Sequence, residues 1–559
     1  MATATSNVYH SQDGYIDLPK RVLYLTVAGL MLSLLLAALD QTVVGTAMPR
    51  IISDLQGFNH YAWVTTAYML TSTAVVPIVG KLSDLYGRKQ FLVGGAIFFV
   101  LTSMLCGLAQ DMTQLVAFRG LQGIGGGIIM STVFTVISAI FPPAERGKIQ
   151  GIFGGVFGFA SILGPLIGGY LTDSLSWRWV FYVNLPVGAL AVAVLAAEFP
   201  NIKPHRDSHP KIDFLGSAAL VACVTPLLLA LSWAGHEFAW GSPEILGLLG
   251  FAVLMLAAFL LIEQRAAEPV IPLRLFHSRI ITVAALGLGI TSMGMFGSIL
   301  YIPLFIQGVI GSSATSSGSL LAPMMATMLV SSIGGGQIIS RTGRYKTIGA
   351  AGMCIMAFGM FLLSQMGPDT DYLTVVRNMM ILGLGMGPTM PVFTLAAQNS
   401  VDLRELGVVT ALTQFSRSIG GTVGAALFGS LLTNQFSPAI TAAAGKAGLA
   451  VPAGVMDHLQ NPQALVDPHA ADALKEALAG SSPQGVDLYT GLLLVIKQGL
   501  ASALHDTFLT ASLLLVGGVL LMLLLKEVPL RRRQRGPQAQ SAPDTAQATP
   551  DAREPVAQR

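Results

Sequence analysis

Asp40 is the one acidic residue of this sequence that we expect to lie well inside the membrane, in the long apolar stretch of residues 22–48. A carboxylate within a bilayer is costly unless it is hydrated, paired or protonated. Such a group can bind a proton while its surroundings open to one side of the membrane and release it when they open to the other. One interpretation is therefore a role in proton or substrate coupling. The other is a structural carboxylate that stays paired with a neighbouring helix.

Three arginines, Arg119, Arg377 and Arg417, also fall inside apolar stretches. A guanidinium stays charged at any working pH, so each of them must face a cavity or a partner. Arg119 lies at a depth similar to that of Asp40, which makes a proton-sensitive interaction between the two geometrically feasible; the alternative is that Arg119 binds backbone carbonyls. The ninth to thirteenth stretches contain no acid, so we expect structural roles for Arg377 and Arg417.

The polar segment after the second apolar stretch, residues 80–89, reads GKLSDLYGRK. Gly80 and Gly87 permit a close helix approach and a tight reversal. Asp84 can accept hydrogen bonds from a helix N-terminus or pair with a basic group across the two halves. The simpler alternative is the polar flank of a helix, and the ordered spacing together with its degenerate copy in the second half counts against that alternative.

The fifth apolar stretch is rich in glycine and contains Gly164, Pro165, Gly168 and Gly169. Small residues let helices approach closely in a membrane. A proline inside a helix breaks the backbone ladder and bends the helix. The stretch is therefore predicted to be a bent helix that packs tightly against a neighbour.

Composition identifies a membrane protein: 53% of the 559 residues are hydrophobic and 11% are charged, against about 25% charged in soluble domains. A net charge of +3 cannot supply a phosphate-binding surface, which excludes a nucleic-acid partner. The glycines of residues 120–127 lack the preceding strand of a dinucleotide site, and no phosphate-binding lysine loop occurs. We therefore expect no cofactor, no metal, no enzymatic activity and no use of ATP.

Fourteen apolar stretches reach the roughly 20 residues that a spanning helix needs. They predict an all-α membrane protein with two six-helix bundles and two extra linker helices. Lys and Arg cluster in alternate connections, which places both termini in the cytoplasm. The predicted segments are a cytoplasmic N-terminal segment 1–20, a bundle 21–198, a linker 199–279 with two transmembrane helices, a bundle 280–528 that includes a large extracytoplasmic loop 435–502, and a disordered cytoplasmic tail 529–559.

An internal repeat supports the two-bundle organisation, because corresponding residues recur at one offset of 256 positions. Duplicated bundles place the substrate site at their interface near the middle of the bilayer and work by rocking against each other. The matched residues are Gly80, Gly87 and Arg88 with Gly336, Gly343 and Arg344, and Gly164 and Gly168 with Gly420 and Gly424.

The loop of residues 435–502 is predicted to contain short helices of its own. Ser437 before Pro438, and Asp467 before Pro468, each place a capping residue before proline at a first helical position. The last helix is longer than a bilayer, so its apolar outer stripe, which includes Ile496, either packs against those short helices or forms a lid for lipophilic substrate.

These motifs resemble the Major Facilitator Superfamily, specifically its fourteen-helix drug:proton antiporter family of the EmrB/QacA type. Residues 80–89 resemble its signature between helices two and three, residues 119–127 its helix-four signature, and residues 164–169 its helix-five antiporter motif. The branch is indicated by LDQTVV at 39–44, AMP at 47–49, WRWVF at 177–181 and NLP at 184–186.

The resemblance implies a proton-driven antiporter of the plasma membrane that exports hydrophobic or amphipathic, often cationic, compounds by alternating access. Its partners would be such small molecules, protons and the lipid bilayer, and we expect a monomer. The absence of acids in the ninth to thirteenth stretches departs from some relatives and argues against multivalent cations. The roles carried over are proton coupling for Asp40 and Arg119, the gate for Gly80, Asp84, Gly87 and Arg88, and the antiport motif for Gly164, Pro165, Gly168 and Gly169.

Two alternatives remain open at this stage. Export of lipids or fatty acids would suit the apolar second half and the large outer loop. The other alternative is a passive channel or a membrane receptor. The duplicated glycine-rich gate segments count against a channel and against a receptor.

Overall fold

The computed structural model describes residues 9–10, 16–55, 61–201, 212–235, 237–310, 314–447 and 485–530. This part of the chain is almost entirely helical, apart from a two-residue strand pair, Tyr9–His10 with Ile16–Asp17. The helices are α1 (Lys20–Leu55), α2 (Tyr61–Tyr86), α3 (Arg88–Leu108), α4 (Met112–Ile140), α5 (Pro143–Ser174), α6 (Asn184–Glu198), α7 (Phe214–Trp233), α8 (Pro243–Glu263), α9 (Arg279–Phe305), α10 (Ala314–Thr342), α11 (Tyr345–Ser364), α12 (Tyr372–Asn399), α13 (Leu406–Ala447) and α14 (Gly485–Leu524).

Shorter helical pieces adjoin three of these helices. A single turn, Trp179–Tyr182, precedes α6, and π-helical Ile306–Ile310 continues α9. Two 3-10 turns, Leu273–His277 and Leu403–Glu405, precede α9 and α13.

Helices dominate because a bilayer offers no water to satisfy backbone N–H and C=O groups. Several helices begin at capping residues that satisfy the first free N–H groups. The Asp111 side chain accepts from the Gln114 amide before α4 over 2.8 Å, and the Asp213 side chain accepts from the Gly216 amide before α7 over 2.7 Å.

The two predicted bundles are present, and equivalent helices form equivalent pairs. In the first bundle α1 packs on α5 and α6, and α3 packs on α4 and α6. In the second, α9 packs on α13 and α14, and α11 packs on α12 and α14. The linker helices α7 and α8 pack on each other, and α7 also contacts α2 and α13. The bundles meet along two interfaces, α2 with α13 and α5 with α10.

Thirteen of the helices in the described ranges are long and apolar enough to cross a membrane by length and composition. The fourteenth is α13, whose middle carries Gln414, Arg417 and several glycines, which lower its hydropathy. Its length and its packing in the second bundle place it with the other spans.

The prediction that Ser437 and Pro438 begin a separate short helix is wrong. Pro438 lies inside α13, which continues without interruption to Ala447. Helix α14 is long, as predicted, and packs on this extension: a Cβ placed on Gly499 would lie 2.7 Å from the Ile440 side chain. Ile496 and Leu500 of the apolar stripe are buried, which agrees with packing rather than a free stripe. Asp467 and Pro468 lie outside the described residues.

Candidate proton and substrate site

Asp40 is fully buried in α1, where three side chains donate hydrogen bonds to its carboxylate. Arg119 of α4 donates to Oδ2 over 2.6 Å, and Gln122, nearly one turn further along α4, donates to Oδ1 over 2.9 Å. Asn184, the first residue of α6, also donates to Oδ1, over 2.8 Å. An ionised carboxylate can only accept hydrogen bonds, and all three contacts are of that kind. Three helices of the first bundle therefore converge on this one carboxylate.

Arg119 is 2% exposed, so its charge is buried within the bundle. Besides Asp40 it donates to the Gln122 side-chain oxygen over 2.7 Å. Its guanidinium carbon lies 4.4 Å from the ring centroid of Tyr68 on α2, within the range of a cation–π contact. The ring centroid of Phe181 lies 6.0 Å from the same carbon, so the positive charge is balanced by one carboxylate and faces two aromatic rings.

The two amide side chains at this site were missed by sequence reasoning as functional residues. Neutral amides carry no charge that stands out in an apolar stretch, although Gln122 lies three residues after Arg119 and therefore on the same helix face. Asn184 is held by a second bond, from its amide nitrogen to the Ser103 hydroxyl over 3.0 Å. The Cys106 thiol donates to the Gln122 oxygen over 3.4 Å. These contacts fix both amides toward Asp40.

The residue after Asp40 begins an exposed stripe along α1. Gln41, Gly45 and Pro49 are exposed and four residues apart, so they share one helix face. The other faces of α1 pack against α4, α5 and α6 of its own bundle. The stripe is therefore a face of α1 that its own bundle leaves uncovered, and it begins directly beside the buried carboxylate.

The glycine motif of α5 makes the close approach to α1 that its composition predicts. A Cβ on Gly164 would collide with the Thr42 hydroxyl, and one on Gly168 would collide with the Thr46 hydroxyl. The Thr42 hydroxyl also donates to the Ala160 carbonyl of α5 over 3.0 Å. Pro165 lies inside α5, and Gly169 has open space around its Cα. Gly164 and Gly168 are the two motif glycines at which packing excludes a side chain.

Asp84 joins the two bundles at the end of α2. It accepts from the Arg88 guanidinium over 3.0 Å and from the Val408 backbone amide of α13 over 3.2 Å. A Cβ on Gly407 would collide with the Asp84 carboxylate. Gly87 has a φ of 104°, a conformation that favours glycine, and it turns the chain from α2 into α3. The segment therefore makes a contact between bundles, as its spacing predicts.

The repeat relates the two interfaces at this end of the molecule. Gly80 of α2 approaches Ala411 of α13, and its counterpart Gly336 of α10 approaches Gly147 of α5. Further along α5 the helices separate, because a Cβ on Gly158 would have its nearest α10 atom 3.9 Å away. The bundles therefore touch closely at the Asp84 end, while the stripe of α1 is exposed toward the other end.

Arg146 of α5 is a further buried charge that sequence reasoning did not single out. It is 1% exposed, and its guanidinium donates to the Phe141 carbonyl over 2.8 Å and to the Gln398 side chain of α12 over 3.4 Å. Gln398 in turn donates to the Thr410 hydroxyl of α13 over 3.0 Å. This chain of bonds links α5 to α12 and α13 across the closed end.

Residues 30–425, more than half of the chain, match the sequence model of the Major Facilitator Superfamily. The chain belongs to the Major Facilitator Superfamily. Its all-helical fold and its thirteen candidate spans in the described ranges agree with a multi-pass transporter of the plasma membrane.

Two relatives from Bacillus subtilis (strain 168) are similar to this superfamily member over most of their length. Multidrug transporter protein MdtP is 42% identical, over 92% of this chain and 95% of that protein. Multidrug resistance protein 3 is 39% identical, over 81% of this chain and 88% of that protein.

Two solved superfamily structures share the fold. The human organic anion transporter MFSD10 (TETRAN) gives a TM-score of 0.58 at 14% identity, over 89% of this chain and 100% of that chain. A bacterial homolog of the human lysosomal transporter Spinster, in an inward-facing conformation, gives 0.53 at 17% identity, over 92% of this chain and 100% of that chain. At these identities the likeness concerns the fold alone.

Two of the sequence expectations about charged residues need correction within this fold. Arg377 is exposed near the start of α12 and donates to the neighbouring Asn378 side chain, so it is not a buried charge. Asp506 was overlooked: it lies inside the apolar span of α14 and is half-buried. The adjacent His505 ring contacts the Ser364 carbonyl at the end of α11 over 2.6 Å.

Proposed function

We propose that this protein is a proton-driven antiporter that exports hydrophobic or amphipathic compounds by alternating access. The observation that carries the proposal is the buried Asp40 carboxylate beside the exposed stripe of α1. Its relatives include a multidrug transporter and a multidrug resistance protein, which supports small-molecule export.

Asp40 supplies the proton site in this proposal. Three side chains donate to its two oxygens, so a change in the charge of Asp40 alters all three contacts at once. A proton on Asp40 cancels the charge that balances Arg119 and leaves a guanidinium without a counter-ion in the membrane. The protonated state therefore favours a rearrangement of α1 and α4 that provides Arg119 with another partner or with water.

The interfaces at the Asp84 end supply the gate. The contacts of Gly80 and Asp84 with α13, and of Gly336 with α5, close one end of the space between the bundles. Lys and Arg cluster on the same side as these contacts, so we assign this end to the cytoplasm. The described arrangement then corresponds to a transporter that is closed to the cytoplasm and open outward.

The energy for export comes from proton entry. One charge that crosses the membrane supplies about 2.3 kcal/mol per 100 mV. One proton per cycle therefore supports a modest gradient of a neutral or singly charged substrate. The protein needs no cofactor for this cycle in the proposal, and it acts as a single chain.

Purified protein in proteoliposomes tests the proposal. A fluorescent amphipathic dye should accumulate against its gradient when a pH gradient is imposed, and accumulation should stop when a protonophore collapses that gradient. Asp40→Asn nearly keeps the volume of the side chain, replaces one acceptor oxygen with an NH2 donor and cannot titrate, so the variant should insert and fold but lose gradient-driven accumulation. Asp173→Asn removes an exposed carboxylate of α5 and should transport like the wild type.

Three outcomes would contradict the proposal. Full gradient-driven transport by Asp40→Asn would remove Asp40 as the coupling residue. Dye movement only down its own gradient, unaffected by pH, would indicate a passive channel. Transport of a labelled fatty acid with no movement of any dye would favour lipid export.

A further inference from the structure

Arg417 differs from Arg119 in having no balancing carboxylate. Within the described ranges no carboxylate is in ion-pair contact with Arg417, and its recorded contact is with the ring of Phe157, whose centroid lies 5.8 Å from the guanidinium carbon. Arg417 is only partly exposed. A guanidinium removed from water without a counter-ion is costly and is retained in a membrane where it serves a pathway or a ligand.

The position of Arg417 on α13 points it into the space between the bundles. Gly420 and Gly424, on one face of α13, pack against α9. Gly407 and Ala411, on another face, pack against α2 of the first bundle. At 3.6 residues per turn Arg417 falls between these two faces.

Phe157 lies on the opposite side of this space, facing Arg417. It lies on α5 of the first bundle, one turn before Ser161, whose hydroxyl donates to the Phe157 carbonyl over 2.9 Å. The contact between Arg417 and Phe157 therefore crosses the central space from the second bundle to the first.

The internal repeat shows that only the second bundle carries a charge at this position. Ser161 is the counterpart of Arg417 at the offset of 256 that relates Gly164 to Gly420. The first bundle thus presents a neutral hydroxyl where the second presents a cation. Asp40 and Arg119 neutralise each other at 2.6 Å, so they do not offset this charge.

We propose that Arg417, with the ring of Phe157, forms a binding subsite for the negatively charged oxygens of an aromatic, amphipathic organic anion. This substrate class rests on the proposed export function and extends it. The planar fork of a guanidinium matches carboxylate, sulfonate and phosphonate oxygens, and the aromatic ring packs on the apolar body of the ligand. A cation at the same place would face an unbalanced like charge.

Two dyes built on the same xanthene scaffold test the subsite: fluorescein, which is anionic, and rhodamine 123, which is cationic. Binding to purified protein is measured by fluorescence anisotropy without a proton gradient, so a failure of proton coupling leaves this measurement unaffected. The wild type should bind fluorescein more tightly than rhodamine 123.

Arg417→Gln should weaken fluorescein binding by at least tenfold and should leave rhodamine 123 binding unchanged or tighter. Arg417→Lys keeps the charge but not the planar fork of the guanidinium, so it should weaken fluorescein binding severalfold. Arg377→Gln removes an exposed arginine of the same bundle and serves as the matched control, with no change for either dye. Variants that do not fold are identified by size-exclusion chromatography and thermal melting. If Arg417→Gln does not fold, the dye affinities of Arg417→Lys are compared with those of the wild type instead.

Three results would overturn the assignment. A wild type that prefers the cationic dye, or that binds the two dyes equally, would show that the subsite does not select an anion. Unchanged fluorescein affinity in a folded Arg417→Gln protein would show that the guanidinium does not contact the anion. Equal losses for both dyes would indicate a structural role for Arg417 instead.

Discussion

Replacing Gly336 with alanine should hold the two bundles apart at the Asp84 end while each bundle stays folded. The Cβ of an alanine there would lie 2.5 Å from the Gly147 carbonyl carbon and 2.9 Å from the Lys148 amide nitrogen. Ordinary contact begins near 3.4 Å, so α5 and α10 must separate by about 1 Å. The obstructing atoms are backbone, which cannot rotate away as a side chain can.

The free-energy cost of such overpacking is about 1–3 kcal/mol. The clash exists only when α5 and α10 meet, so the cost falls on the closed arrangement and not on the folding of either bundle. A cost of this size shifts the population of the closed state by roughly 5- to 150-fold. Alanine also favours a helix over glycine by about 1 kcal/mol, which should keep the variant folded.

Gly334→Ala is the matched control, because a Cβ on Gly334 has no neighbouring atom within 4 Å. Both substitutions raise the helix propensity by the same amount, but only Gly336→Ala introduces a clash. Spin labels at Glu145 and Arg341, which are exposed at the adjoining ends of α5 and α10, report the separation by pulsed electron resonance. The three native cysteines must first be replaced.

We expect Gly336→Ala to lengthen the distance between the two labels and to slow transport, with Gly334→Ala like the wild type in both measurements. Identical distance distributions and turnover in the two variants would refute the reasoning that this contact controls closure. Loss of the folded protein in Gly336→Ala alone would show that the contact is needed for folding.

Three further changes test the remaining parts of the site. Asp84→Asn should lower turnover with little change in equilibrium dye binding, because the gate lies away from the substrate space; loss of binding with normal turnover would contradict this. Asn184→Leu removes a donor to Asp40 and should lower the free energy of unfolding by about 1–3 kcal/mol, measured by thermal melting, and an unchanged melting temperature would show that the bond contributes little. Gly164→Val should force α1 from α5 through Thr42 and uncouple transport, measured as proton leak without dye accumulation; coupled transport would show that the close approach is dispensable.

Most of the architecture followed from the sequence because a membrane imposes strong local rules. Each span must satisfy its own backbone hydrogen bonds, so apolar length predicts a helix wherever it occurs. The repeat of 256 residues predicted the paired bundles, and the equivalent approaches of Gly80 and Gly336 agree with it. Asp40 stood out because a lone carboxylate in an apolar stretch is conspicuous.

The helix boundary predicted at Pro438 failed for a physical reason. A capping residue before proline is a local signal, and packing of the α13 extension against α14 overrode it. The burial of Arg377 was also overestimated, because depth along a stretch does not reveal which face of the helix meets solvent or lipid.

What the sequence by itself determined is therefore the set of helices, their repeat and the charges that need an explanation. The tertiary structure decided which groups contact those charges. Arg119, Gln122 and Asn184, from two other helices, donate hydrogen bonds to Asp40. Arg417 contacts the ring of Phe157. The rotation of each helix about its axis selects these partners, and it is set by side-chain packing between segments far apart in the chain.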